Sequence, residues 1–190
     1  DVEVELAFIA RSGGGGGNTG STAPLPKPAP ASAKPIRWYY SSGAIYHVTS
    51  GLVPPGTWLT RDMLISVLYN LDTTSTGEPE FWATEHKVIP DIYRSWLWGV
   101  DKPVNREQAA MLLFSYATYK NYNTFERVSL TGYTDHSLVS PTAQSAMSWA
   151  RASGLITGIS ARILAPKGDL TCGQGGVILS RFVGDGARTG

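Results

Sequence analysis

LTRDMLISVLYNL (Leu59 to Leu71) is followed by VNREQAAMLLFSY (Val104 to Tyr116) and then by LTCGQGGVILSRF (Leu170 to Phe182). Aligned on Arg61, Arg106 and Cys172, the three stretches place apolar or small residues at the same offsets. These are Leu64, Val67, Leu68 and Leu71; Ala109, Leu112, Leu113 and Tyr116; and Gly175, Ile178, Leu179 and Phe182. That is the stripe of a helix burying one face. Each start carries a good N-cap, Thr60, Asn105 or Thr171, and Gln108 and Gln174 stand where a capping box needs them. Asp62 and Glu107 suit the positive helix N-terminus. Three helices of one design are therefore expected.

Upstream of each start lies an aromatic segment: AIYHVTSGL before the first, FWATEHKVI before the second, AMSWARASGLITG before the third. The repeat predicts a second helix in each, with Gly51 and Gly154 as helix C-caps. Arg106 to Cys172 is a longer step than Arg61 to Arg106, so loops absorb the difference, and VPPGTW makes the first loop the shortest.

Outside the repeats, DVEVELAFIA alternates with period two, which predicts a lone β-strand at residues 1–10. It reads as the last strand of a preceding domain or one that pairs with another chain. Residues 11–35 are Gly-rich and then Pro-rich, the composition of a flexible linker. From Ile36 the chain turns aromatic and holds all six Trp. The domain is expected over 36–184, divided at about 36–72, 73–122 and 128–184, with a tail at 185–190.

The chain has 190 residues, 42% hydrophobic and 16% charged, with a formal net charge of +1. Scattered Lys and Arg give no footprint for nucleic acid or an anionic membrane surface. No apolar run approaches a membrane span and no signal segment opens the chain, so no membrane insertion is expected and the chain reads as mature or as a fragment. One cysteine excludes an internal disulfide. His47, His86 and His136 show no metal-ligand spacing, so no metal and no cofactor are expected.

The residues resemble the surface-layer homology (SLH) domains of bacterial cell-surface proteins. The third repeat resembles the family unit over GYTD (Gly132 to Asp135), SWARASGLITG (Ser148 to Gly158), ILAP (Ile163 to Pro166) and LTCGQ, with Cys172 in place of the family's Arg. The second does so over FWATEHKVIPD and KPVNREQAA, with Lys87 where a Gly is expected and Asn105 in place of Thr. The first does so over YHVTSGL and LTRDMLISVLY, lacking the opening Asp motif. The resemblance implies an all-α fold of three two-helix units wound about a pseudo-threefold axis. It also implies a role: noncovalent anchoring outside the bacterial cell by binding secondary cell-wall polysaccharide, often through a pyruvylated sugar, in grooves between repeats.

A cation at the first position of a helix opposes the helix dipole. Arg61 and Arg106 make sense if free helix N–H groups and a guanidinium together receive an anion. The alternative is that each Arg pairs with an acid such as Glu107 or Asp135 and clamps repeats together. Candidate glycan-binding residues are Arg61 and Arg106, with Thr60 and Asn105 beside them although capping alone explains these two. Asp135 matches the family's opening Asp, and Trp82 and Trp149 could stack on a sugar, although such a Trp more often belongs to a core.

Catalysis is not expected. Cys172 with His47, His86 or His136 could form a thiol–imidazole pair, but Cys172 stands in the register of an Arg and no hydrolase motif accompanies it. Two of Glu78, Glu80, Glu85 and Asp91 could pair for glycoside cleavage, yet nothing selects them. The runner-up is an SLH-derived assembly module with decayed pockets that joins protein subunits, including by self-association. For Cys172 itself two accounts stand: a retired pocket, or a small buried residue where Gly175 and Gly176 permit close helix approach.

Overall fold

The computed structural model describes residues 38–47, 50–89 and 101–186, with the side chains of 185 and 186 excepted. All lie in the compact unit Ile36–Gly190. The strand expected at 1–10, the linker at 11–35, Asp91 and the last four residues of the tail lie outside the described residues.

The first elements are strands. WYYSSGAIYH is rich in aromatic and β-branched side chains, and Ser42 and Gly43 both take positive φ, 47° and 82°. Two such residues make the turn whose twist matches a two-residue hairpin. It joins β1 (Trp38–Ser41) to β2 (Ala44–His47), antiparallel with Trp38 opposite His47 and Tyr40 opposite Ile45. The short β3 (Gly51–Leu52) pairs with β2 on the other side, giving the order β1-β2-β3.

The expected all-α fold of three two-helix SLH repeats about a pseudo-threefold axis is therefore overturned. The chain is mixed α/β, and AIYHVTSGL supplies strands where the repeat predicted a helix. Gly51 is not a helix C-cap but a strand residue at φ 76°.

Helices follow: α1 (Arg61–Leu71), α2 (Pro79–Glu85), α3 (Arg106–Tyr119), α4 (Gln144–Ala152) and α5 (Cys172–Arg181). Two 3-10 turns, His136–Leu138 and Pro141–Ala143, lead into α4, and a π turn, Phe182–Gly186, follows α5. Thr60 accepts from the Met63 N–H, and capping boxes close α3 (Asn105 with Gln108) and α5 (Thr171 with Gln174). The three stripes all enter the core, with only Leu71 left partly exposed.

Both shorter helices end on a left-handed residue. At α4 it is Gly154, φ 68°; at α2 it is Lys87, φ 55°. Both ends have the same backbone geometry, but at α2 a side chain pays its steric cost.

A closed ring of backbone hydrogen bonds ties the three helix starts together. The Leu59 N–H donates to Leu170 O at 2.8 Å, Leu170 to Val104 O at 3.0 Å, and Val104 to Leu59 O at 2.8 Å. Antiparallel bridges pair Trp58 with Thr171, Thr60 with Pro103 and Asn105 with Asp169. Beneath the ring, Leu59 and Leu170 meet Leu64, Leu113 and Leu179 in the core.

Candidate functional site

Carbonyls of the loops beside the ring take up helix N–H groups that an anion would need. In α3 the Arg106 N–H donates to Gly168 O at 3.0 Å, the Glu107 N–H to Pro166 O at 3.0 Å and the Gln108 N–H to Asn105 Oδ1 at 2.9 Å. In α5 the Cys172 N–H reaches Thr57 O at 2.7 Å and the Gly173 N–H reaches Pro55 O at 2.9 Å. In α1 the Arg61 N–H donates to Lys102 O at 3.2 Å. The expectation of free N–H groups at Arg61 and Arg106 fails for α3 and, at the Arg61 and Met63 N–H groups, for α1, because each start is capped by a carbonyl from a neighbouring repeat as well as by its own cap residue, and the α5 start is closed in the same way. An anion there can be held only by side chains.

Arg106 is such a side chain. It is 9% exposed, its Nη2 donates to Thr157 O at 2.8 Å, and its Nε is buried with no hydrogen-bond partner. Burial lowers the guanidinium pKa, yet the group remains charged at any physiological pH. The acids expected to clamp it are engaged elsewhere. Glu107 is buried and accepts from the Ser140 N–H at 3.0 Å, from the Ser140 hydroxyl at 2.8 Å and from Lys167. Asp135 accepts from the Leu164 and Ala165 N–H groups at 2.9 and 2.7 Å. Burial pushes the Asp135 carboxyl up, but those N–H groups and the charge of His136 outweigh it and leave it below the ordinary range. Asp135 is thus a loop anchor, and the Leu164–Ala165 backbone takes both its oxygens.

The remaining candidates separate cleanly. Arg61 is half-buried at the start of α1, with its backbone N–H bonded to the Lys102 carbonyl. Thr60 and Asn105 perform their capping. Trp82 and Trp149 are both 0% exposed, so neither can stack on a sugar. The Trp82 indole N–H donates to Asp72 Oδ2 at 3.1 Å and that of Trp149 to Asn123 O at 3.1 Å. The ring of Trp149 packs edge-on against Phe114.

Cys172 lies in the third register, 2% exposed, with its Sγ 3.8 Å from Trp58 O and 3.7 Å from Met63 Sδ. Burial pushes the thiol pKa up, the opposite of an activated nucleophile. Its neighbours are packed hard: a Cβ on Gly175 would stand 2.6 Å from Leu59 Cδ2, and one on Gly176 would stand 2.4 Å from Gly43 O. Close approach, rather than decay of a pocket, accounts for these two glycines.

Sequence reasoning missed Asp72, Thr157 and Lys167. Asp72 is fully buried at the end of α1 and accepts from Trp82, from Tyr119 at 2.9 Å, from Lys120 at 3.0 Å and from Thr74. Its partners on α3 and just beyond lie far along the chain, where no local pattern announces them. Among the described residues no group of three or more His, Cys, Asp or Glu could hold a metal ion, and no helix is long and apolar enough to cross a membrane.

In comparisons with known proteins, no family model, no curated protein and no solved structure matches the chain.

Proposed function

We propose that this chain is an SLH-type anchoring module of a bacterial surface protein, extracellular and non-catalytic. It binds secondary cell-wall polysaccharide through an anionic sugar, pyruvylated sugars among the candidates. The observation that carries the reading is Arg106: a buried guanidinium bonded to the Thr157 carbonyl, with no ion-pair acid among the described residues and its Nε–H without a hydrogen-bond partner. A buried donor left in that state costs roughly 1 to 3 kcal/mol, a cost an oxyanion would remove. The family resemblance supports an anionic glycan as the ligand, and the state of Arg106 supports that residue as its contact.

The test is cosedimentation of the full chain with cell-wall sacculi, before and after extraction of their secondary polymer. Retention is expected to need the polymer and to fall about tenfold or more in Arg106→Ala, the loss of one charge-assisted hydrogen bond. Retention that survives extraction, or is equal in Arg106→Ala, rejects the reading. Concentration-dependent self-assembly without polymer binding would favour the assembly module instead.

A further inference from the structure

The ring has two faces, and only one is core. Leu59, Val104 and Leu170 point inward and are essentially unexposed. On extended backbone the flanking residues must point the other way. Bridged partners share a face, so Trp58 stands beside Thr171, Thr60 beside Pro103, and Asn105 beside Asp169. This face meets solvent: Trp58 is 54% exposed and Asp169 is exposed.

Capping leaves this face rich in spare donors. Asn105, Gln108 and Gln174 use their side-chain oxygens in the two capping boxes, and among the described residues no partner takes their NH2 groups. Thr60 and Thr171 accept helix N–H groups through their oxygens and keep their hydroxyl hydrogens. A flat indole beside amide and hydroxyl donors, with the Asp169 carboxylate as acceptor, is the chemistry that holds a pyranose ring: C–H groups on the aromatic face and hydroxyls on directional polar partners. The carboxylate disfavours an anionic ligand here.

We propose that the outer face of the ring is a binding site for a neutral sugar, built around Trp58 and separate from the anion site at Arg106. Trp58 is the stacking platform and Asp169 accepts sugar hydroxyls. The polar caps orient the ring.

The experiment follows the tryptophan indole N–H signals of the full chain by NMR while neutral tetrasaccharides of N-acetylglucosamine and of glucose are added, with a hyaluronan tetrasaccharide as the anionic arm. At least one neutral tetrasaccharide should shift the Trp58 signal saturably, while the signals of buried Trp82 and Trp149 stay in place. Asp169→Ala, read from the Trp58 signal, and Trp58→Ala, read by calorimetric titration because it removes that signal, both at exposed side chains, should each weaken binding roughly tenfold. Arg106→Ala should leave it unchanged, which keeps this site distinct from the proposed anchoring site. No saturable shift with either neutral sugar, tighter binding of hyaluronan, or undiminished binding in both Trp58→Ala and Asp169→Ala overturns the proposal.

Discussion

Gly176 on α5 lies so close to Gly43 in the β1–β2 turn that a Cβ on it would stand 2.4 Å from the Gly43 carbonyl oxygen. The last helix therefore presses on the hairpin backbone itself, and the obstacle is not a side chain that can rotate away. Gly176→Ala should destabilise the domain by about 1 to 3 kcal/mol, the range for overpacking a tight contact. Chemical denaturation measures it. A variant as stable as the parent would mean that the turn yields freely.

Gly154 and Lys87 form a natural comparison, because both are left-handed residues just past a helix end. A Cβ on Gly154 meets nothing within 4 Å, so Gly154→Ala reports backbone strain alone. It should cost about 1 kcal/mol. Lys87→Gly should do the reverse and stabilise by roughly 0.5 to 1 kcal/mol. Thermal unfolding of the two variants checks both signs, and a loss of stability in Lys87→Gly would contradict the strain argument.

The helix starts were legible because their signal is local and redundant: a cap, a Gln three residues on, and a buried stripe. The first repeat misled because it was read through the other two. AIYHVTSGL offers apolar positions that serve either period, and alignment with FWATEHKVI assigned it a helix. The opposing signal was Ser42-Gly43 between WYY and AIYH, a turn flanked by strand formers. The site was legible only in part. Arg106 stood out by opposing its helix dipole, but that Pro166 and Gly168 would occupy the helix N–H groups depends on a contact across repeats. Trp58 gave no signal beyond its place before Leu59, since exposure comes from the ring.

Asp72 makes stability depend on pH. Burial alone would raise its carboxyl, but Lys120, then Thr74 and Tyr119, outweigh burial and hold it far below the usual carboxylate range. A folded pKa below the unfolded value of about 3.9 means the contribution is present in full above that value and is lost as pH falls toward the folded pKa. Asp72→Asn should cost roughly 3 kcal/mol at neutral pH, because it leaves Lys120 without its anion in a largely buried pair. The variant should also lose less stability than the parent between pH 4 and pH 2. Parallel acid profiles for the two proteins would show that other carboxylates control the acid limb.

Cys172 stands where the other two helix starts carry Arg61 and Arg106, and its surroundings decide what it can become. Its N–H is bonded to Thr57 O at 2.7 Å, Trp58 O and Met63 Sδ lie against its sulfur, and Pro55 closes on the next residue, where a Cβ on Gly173 would stand 3.0 Å from Pro55 Cβ. A guanidinium has no room there and no acid to meet, since the contacts are a carbonyl, a thioether and apolar carbon. Cys172→Arg should destabilise by several kcal/mol through an unpaired buried charge and overpacking. Cys172→Ala, which removes one atom and leaves the contacts standing, should cost only about 1 kcal/mol. If the third position were a retired pocket, the Arg variant would fold normally and gain affinity for the cell-wall polymer. A melting temperature for Cys172→Arg equal to that of Cys172→Ala, with increased cosedimentation, would establish that view; a large loss of stability confined to the Arg variant establishes packing as the reason the residue is small.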